Sequence, residues 1–196
     1  MANLKLNNVV ALSETGGVAT FGTSSSTLKY PAGHILQCLS VSKLNTFSFS
    51  GDVDYHTVTG LTQAITPSST SNKILLQAQL NLSVSSANAS NIGVRFAGGN
   101  SATYIGNADA SQQRAALHLK NESTSFTINH FLLPTFTQYL DAPATISEVT
   151  YEVQVRVADG AGATGNTVFV NRGAEDSDNA QHGRGASSLT VWEVQV

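Results

Sequence analysis

Apolar and polar residues alternate along three long stretches of the chain. In 76–84 Leu, Ala and Val alternate with Gln, Asn and Ser, in 151–157 Tyr and Val alternate with Glu, Gln and Arg, and in 47–55 Phe, Val and Tyr alternate with Ser and Asp. Because successive side chains of a strand point to opposite faces of the sheet, each stretch predicts a strand with one buried and one wetted face. Shorter strands are predicted at 35–41, 92–96, 126–133, 167–171 and 189–196.

Helical periodicity is absent, because Gly, Ser, Thr and Asn interrupt every run of apolar residues at helical spacing. Residues 111–120 fit either a helix or a strand, and both interpretations stay open. Turn-forming residues separate the strands at 66–68, 98–100, 141–143 and 159–162. Many short strands divided by turns predict an all-β fold, an antiparallel β-sandwich of jelly-roll-like form.

The two ends of the chain differ from its middle. Residues 1–29 carry only weak strand patterns, broken by Gly16-Gly17 and by Ser24-Ser25-Ser26, and we interpret them as an N-terminal arm or anchor before a sandwich domain at 30–196. The last strand, 189–196, is apolar on both faces. We therefore expect it to be covered on both, by the second sheet and by either a neighbouring subunit or the arm.

Composition narrows the function classes. Hydrophobic residues make up 41% and charged residues only 12%, with a net charge of −3, so the surface is polar but carries a weak electric field. Nucleic acid is not an expected partner, since ten scattered Lys and Arg residues predict no basic face. No apolar run is long enough to insert into a membrane, and the first ten residues lack a secretory signal, which predicts synthesis in the cytoplasm without export.

The search for chemistry predicts no catalytic, cofactor-binding or metal-binding residue. The five histidines lack metal-ligand spacing, and no Gly-x-Ser-x-Gly elbow or phosphate loop occurs. Cys38 lies in an apolar run and is predicted to be buried. The acidic cluster 175–179 lacks the pattern of a calcium loop, and it is either a solvated loop or a Ca²⁺ site.

The long segment 171–185 is polar and rich in glycine, as binding loops on rigid scaffolds often are. Its candidate surface contacts are Asn171, Arg172, Asp176, Asp178, His182 and Arg184.

Residues 64–76, AITPSSTSNKILL, resemble a segment that recurs in small structural proteins of tailed bacteriophages, especially marine ones. Three further pieces follow in the same order as in that family: 139–143 with 149–155, then 168–172, then 186–194. The sequence departs from the family at Trp192, where a smaller apolar residue is usual. The resemblance implies a virion protein of the tail-fibre or structural-protein type with a trimeric, β-rich head.

The expected function is therefore binding and assembly without catalysis. The first hypothesis is a homotrimeric tail-fibre or spike head that engages a host surface glycan or protein through 171–185 and other virion proteins through its arm. The alternative is a capsid decoration protein that stabilises the head shell. A glycan-degrading enzyme and a non-viral carbohydrate-binding module are weaker rivals, since no acid pair stands out and the aromatic residues are scattered.

Overall fold

The described part of the chain consists of β-strands and connections and contains no helix, as predicted. A computed structural model describes residues 3–6, 9–15, 18–21, 31–50, 54–85, 90–100, 104, 106–107, 110, 114–121, 131–158, 166–180 and 182–196. The strands are β1 (Asn3–Leu6), β2 (Val9–Thr15), β3 (Val18–Phe21), β4 (Ile35–Lys43), β5 (Phe47–Ser50), β6 (His56–Ile65), β7 (Lys73–Val84), β8 (Ser90–Ala97), β9 (Leu117–Asn121), β10 (Leu133–Asp141), β11 (Val149–Ala158), β12 (Thr167–Val170) and β13 (Ser187–Val194). Within these residues there is no helix that could cross a membrane.

The chain divides into two units, Met1–His34 and Ile35–Val196. The first holds a three-stranded antiparallel sheet in the order β1-β2-β3. This order makes β1 and β3 the two edges of the small sheet. The predicted attachment arm at 1–29 lies within this unit, and its attachment role stays a prediction.

The first sheet of the second unit contains two lines that are each made of two strands placed end to end. β13 pairs with β7 from Lys73 to Gln79, and β12 pairs with the same edge of β7 from Leu82 to Val84. On their other side, β4 pairs with β13 and β5 with β12. β10 pairs with the opposite edge of β7. The sheet therefore has four lines, in the order β4/β5, β13/β12, β7 and β10.

The second sheet has the order β6-β11-β8-β9, and all of its pairs are antiparallel. When the eight lines are counted along the chain, the first pairs with the eighth, the second with the seventh, the third with the sixth and the fourth with the fifth. One long hairpin rolled into two sheets gives this pairing, which is that of a jelly roll. The prediction of an antiparallel, jelly-roll-like sandwich is confirmed.

Strand alternation builds the core between the two sheets. Every second residue of β7 points inward and is at most 1% exposed, from Ile74 to Val84. From the other sheet, Tyr151, Val153 and Val155 on β11 are fully buried. Burying each such side chain contributes roughly 1.5–3 kcal/mol, so these two central strands supply much of the stability.

The core of the first sheet ends in an inward row that contains two buried carboxylates. Gln37, Glu193, Ile74 and Asp141 lie opposite one another on the four lines. Glu193 and Asp141 are both fully buried. A buried carboxylate costs free energy unless donors surround it, so each of these two must organise the chain near it.

Glu193 fastens the 66–72 connection between β6 and β7 to the end of β13. Its Oε1 accepts hydrogen bonds from the backbone N (2.6 Å) and Oγ (2.7 Å) of Ser68 and from Nδ2 of Asn72 (2.6 Å), and its Oε2 accepts one from Nε2 of Gln37 (2.7 Å). Burial acts to raise the pKa of Glu193, but the hydrogen bonds from Asn72, Gln37 and Ser68 together outweigh it and lower that pKa.

Asp141 holds the turn at the end of β8 in a similar way. Its Oδ2 accepts hydrogen bonds from the hydroxyl of Tyr151 (2.7 Å) and from the backbone N of Asn100 (3.1 Å). The Nδ2 of Asn100 donates in turn to the carbonyl oxygen of Ala142 (2.6 Å). Burial raises the pKa of Tyr151, and the hydrogen bond to Asp141 raises it further, so the phenol stays a donor to the buried carboxylate.

The prediction of one strand over 47–55 is wrong. β5 ends at Ser50 and β6 begins at His56, with a bend at Asp54 between them, and residues 51–53 lie outside the described part. β5 pairs with β12 in the first sheet whereas β6 pairs with β11 in the second, so the chain must cross between the sheets here.

β6 breaks the alternation of buried positions, whereas β10 keeps the alternation but buries polar residues and exposes apolar ones. In β6 the buried residues change from even to odd positions between Val58 and Leu61, because a bulge at Gly60 (φ 90°) shifts the register against β11. β10 lies later than the strand predicted at 126–133, of which 126–130 are outside the described residues. Its pattern is inverted: the buried side chains include Thr135, whereas Phe136 is 57% exposed.

The other strand predictions agree with β4, β7, β8, β11, β12 and β13 to within a few residues. In the ambiguous segment 111–120, residues 117–120 belong to β9, so the strand interpretation is confirmed there, while 111–113 lie outside the described residues.

We expect Glu193→Gln to lower the free energy of unfolding at pH 7 by about 1–3 kcal/mol, because an amide cannot accept all four hydrogen bonds. Since the pKa of Glu193 is lowered by folding, the stabilisation is present above the ordinary pKa of 4.5 and is lost as the pH falls through the folded value. Urea denaturation should therefore show a difference in the free energy of unfolding between wild type and variant that is smaller at pH 3 than at pH 7.

Glu148→Gln, at an exposed position, is the control. An equal difference in the free energy of unfolding at both pH values would contradict this role of the Glu193 charge.

Candidate functional site

The segment predicted to bind, 171–185, lies in a loop of residues 171–186, the binding loop, which leaves the first sheet at one point. It separates β12 from β13, which lie end to end along β7. In the neighbouring line only residues 44–46 separate β4 from β5. The loop is therefore a long insertion in the line formed by β12 and β13, and both of its ends lie next to the middle of β7.

Asn171 ties both ends of the loop to the sheet. It is fully buried and has a φ of 65°, a backbone conformation that Asn adopts more readily than most residues. Its Nδ2 donates to the carbonyl oxygens of Lys43 (2.7 Å) and Asn45 (3.1 Å), and its Oδ1 accepts from Oγ of Ser187 (2.6 Å). Its backbone carbonyl accepts from the backbone N of Gly185 (3.0 Å), which closes the stem of the loop.

Asn81, on β7, completes this junction from the other side. Its backbone carbonyl accepts from the backbone N of Asn171 (2.9 Å), and its side-chain Nδ2 donates to the carbonyl oxygen of Ala186 (2.6 Å). Its own backbone N donates to Oγ of Ser187 (3.2 Å). The loop thus stands on a hydrogen-bonded base. Sequence reasoning missed Asn81 and Ser187, because a polar residue on a strand gives no sign of the residue paired with it.

Charged side chains cross-link the loop above its base. An antiparallel bridge joins Arg172 to Arg184, and the carboxylate of Asp176 pairs with both guanidinium groups, at 2.9 Å from Nη1 of Arg172 and directly with Nη1 of Arg184. The hydrogen bond from Arg184 lowers the pKa of Asp176 against a smaller opposing effect of desolvation, and the charges of both arginines lower it further. Arg172 also lies over the ring of Phe169, at 4.3 Å from the centroid. Exposed ion pairs stabilise little, so these contacts mainly set the shape of the loop.

The loop forms an open depression of about 390 Å³ lined by Asp176, Ser177, Asp178, Asn179, His182 and Arg184. Four of the six predicted contact residues therefore surround one concave surface. Arg172 belongs to the same cluster through Asp176, whereas Asn171 is buried beneath it and has no surface to offer a partner.

The chemistry of this depression suits polar recognition. His182 contacts the carbonyl oxygen of Glu175 through Nδ1 (2.8 Å) and Oγ of Ser177 through Nε2 (3.5 Å). The Ser–His contact is longer than the 2.6–3.2 Å of an activated nucleophile, and the group that orients the imidazole is a backbone carbonyl. Among the described residues no three His, Cys, Asp or Glu side chains are grouped as metal ligands. The loop offers charges of both signs and an imidazole to a polar partner.

A second surface, the outer apolar row, crosses the outward face of the first sheet. Cys38, Trp192, Leu75 and Leu140 lie opposite one another on its four lines. Leu140 is 45% exposed and Trp192 and Leu75 are half-buried. The adjacent row is polar and cross-linked, with Ser40 hydrogen-bonded to Thr190 (2.9 Å) and Gln77 to Gln138 (3.2 Å).

The outer apolar row corrects one prediction and explains another. Cys38 is exposed, because the alternation of β4 turns its side chain away from the core, so the prediction of a buried thiol is wrong. The last strand does have two apolar faces: Leu189 and Val191 are buried in the core, while Trp192 and Val194 lie on the outward face and stay half-buried.

No protein-family model matches this chain, and no curated protein matches its sequence.

We expect Asn171→Gly to lower the free energy of unfolding by about 1–3 kcal/mol through loss of three side-chain hydrogen bonds, since glycine keeps the left-handed backbone without strain. Hydrogen exchange at 171–186 should quicken more than elsewhere. Asp178→Ala, at an exposed position of the same loop, should change neither quantity. Unchanged exchange in Asn171→Gly would show that the side chain does not anchor the loop.

Proposed function

We propose that this protein is a non-enzymatic structural component of a virus particle, a self-associating jelly-roll subunit that forms the head of a tail fibre or spike. The observation that carries the proposal is the outer apolar row. In it the side chain of Trp192, the only tryptophan of the chain, is half-buried on the outward face of the first sheet. The jelly-roll architecture supports the proposal, since viral capsid and lectin domains use it. So does the ordered resemblance of four segments to structural proteins of tailed bacteriophages.

The occupant proposed for the outer apolar row is a second copy of this chain. Contiguous exposed apolar surface marks an interaction site, and Trp is enriched among the residues that dominate interfaces. Leu36, two residues before Cys38 on β4, is 36% exposed and extends the apolar surface beyond the row. The low charge of the chain, 12% of residues, opposes association of like copies only weakly. Three copies around one axis can each contribute this face to a homotrimer.

The binding loop is the element proposed to meet the host. Its base is held by Asn171 and Asn81 and its upper part by the Arg172–Asp176–Arg184 cluster. Because the loop is already ordered, binding of a partner costs little conformational entropy. A glycan or a protein on the host surface can bind the charged and hydrogen-bonding groups around the depression. The N-terminal segment 1–29 is proposed to attach the head to other virion proteins.

The absence of catalysis is part of the proposal. The two carboxylates that share the inward row, Glu193 and Asp141, are both fully buried and engaged by donors, so they are closed to a substrate. Degradation of host polysaccharide by the purified protein would overturn this part of the proposal.

Capsid decoration is the second candidate function. One observation favours it: the three-stranded sheet of the first unit has two edge strands, β1 and β3, and an edge strand can add to the sheet of another protein. In that case the first unit, rather than the loop, would carry the function.

Trp192→Ser tests self-association. Light scattering should give a trimer for the wild type at micromolar concentration, and the variant should dissociate at roughly thirtyfold higher concentration or more, because truncating an interface hot spot costs about 2 kcal/mol or more. Thr190→Ala, on the same face of β13 but in the polar row, should remain a trimer. The single tryptophan gives an independent readout, a blue shift of its emission as wild-type concentration rises. A wild-type monomer with blue-shifted, concentration-independent emission would contradict association through this face.

Antibody-gold labelling of intact particles in the electron microscope tests the location. Gold at the tail is the expected result and supports host engagement. Gold spread evenly over the head would support capsid decoration instead, and the absence of gold from particles would contradict both.

A further inference from the structure

Two of the five arginines, Arg95 and Arg156, lie on the outward face of the second sheet. Arg156 on β11 lies opposite Gly93 on β8, and Arg95 on β8 lies opposite Gln154 on β11. The two arginine side chains therefore extend from neighbouring strands on the same face of the sheet. Tyr55 precedes β6, whose first residue, His56, pairs with Val155 on β11. The tyrosine therefore reaches this face from the edge line, beside Arg156.

Tyr55 lies between the arginines and holds them together. The guanidinium carbon of Arg95 is 4.2 Å from the centroid of the Tyr55 ring, and that of Arg156 is 5.5 Å from it. The Tyr55 hydroxyl donates to the backbone carbonyl of Arg114 (2.7 Å), which brings the chain at a third arginine to the same cluster. Gly93 makes this possible, because a Cβ there would come within 2.8 Å of both the Tyr55 oxygen and Cγ of Arg156.

Among the described residues no carboxylate forms an ion pair with Arg95, Arg114 or Arg156. Arg95 donates through Nε to the neutral Gln154 (2.7 Å), and Arg114 donates through Nε to the carbonyl of Gly106 (2.6 Å). The Nε of Arg156 is buried and has no acceptor. Glu152, on the same face of β11, is linked to Arg95 only through Gln154, whose Oε1 accepts from Arg95 and whose Nε2 donates to Oε1 of Glu152 (2.6 Å).

Two guanidinium groups on one ring repel each other, because arginine stays charged at any ordinary pH. Burial raises the pKa of the Tyr55 hydroxyl, and the positive charges of Arg156 and Arg95 oppose that rise. The charges of the two arginines therefore act on the phenol. An anion bound across the two guanidinium groups would reduce this repulsion. Paired guanidinium forks are well suited to the oxygens of phosphate, sulfate and carboxylate groups.

We propose that Tyr55, Arg95 and Arg156, with Arg114 beside them, form a binding site for an oxyanion carried by an acidic polysaccharide. Arg95 and Arg156 bind the oxyanion, and Tyr55 positions them. A nucleic acid is a poorer fit, since phosphate tracking needs an extended basic face and the chain has a net charge of −3. The site does not depend on the proposed virion function, because it lies on the second sheet, away from the outer apolar row and the binding loop of the first.

The test is calorimetric titration of the full-length protein with dextran sulfate, uncharged dextran, duplex DNA and sodium sulfate at low, fixed ionic strength. Dextran sulfate should bind and dextran should not. Arg95→Gln and Arg156→Gln should each weaken binding about tenfold or more, the effect of one lost charge-assisted hydrogen-bonded contact. Lys73→Gln removes one positive charge from the first sheet and should weaken binding less than about twofold.

The outcomes separate the possible sources of the anion. If sulfate ion competes with dextran sulfate for the wild type but not for either arginine variant, the oxyanion itself is recognised, as proposed. If sulfate ion binds tightly and dextran sulfate binds no more tightly, the ligand is a free anion and not a polysaccharide. Preference for DNA that is lost in the same variants would overturn the polysaccharide assignment. Equal weakening by Lys73→Gln, or no binding by the wild type, would overturn the site. Thermal unfolding of each variant, compared in dextran sulfate and in dextran, shows whether the fold is retained and whether the ligand stabilises it.

Discussion

The sandwich depends on the pairing of β7 along both of its edges. β10 occupies one edge, and β13 and β12 share the other, so three strands from the C-terminal half of the chain are ordered by twelve residues near the middle. The inward side chains of β7 are buried along its whole length, which prevents a one-residue slip, because a slip would turn them all to solvent. The loop and the outer apolar row both inherit their geometry from this register: the loop leaves the sheet next to Asn81, and Trp192 meets Leu75.

Polar residues inside the sandwich act where the hydrophobic core stops. Glu193 and Asp141 flank Ile74 in the last inward row, and each accepts hydrogen bonds from a connection that approaches the end of the sheet. Asn171 instead donates hydrogen bonds to the carbonyl oxygens of Lys43 and Asn45 at the point where β12 ends. The polar atoms of Glu193 and Asn171 are satisfied by several partners, whereas Asp141 is held through Oδ2 alone and its buried Oδ1 has no partner. Removal of one partner leaves the others unsatisfied. These three residues therefore fix the conformation of the connections that they contact.

The two sheets differ in the chemistry of their outward faces. The first combines an apolar row with the base of the polar loop, and the second carries the arginine cluster around Tyr55. A protein that must associate with its own copies and also bind other molecules benefits from this separation, because apolar contacts on one sheet leave the charged groups on the other accessible. The proposed assembly and the proposed oxyanion site can thus exist in the same particle.

The alternation of residues in β7, β11 and β13 was enough to predict an all-β antiparallel sandwich, and the composition of 171–185 was enough to select the loop that forms the depression. These features are local: side-chain periodicity and turn chemistry act over a few neighbouring residues. Tertiary structure decided the rest. The inverted pattern of β10 and the change of sheet between Ser50 and His56 depend on pairing partners far along the chain, and the phase change of β6 comes from the bulge at Gly60 in its pairing with β11. Only strand pairing brings Trp192 beside Leu75 and Leu140, and Arg156 beside Arg95, because residues distant in sequence become neighbours only when the register of the sheets is set.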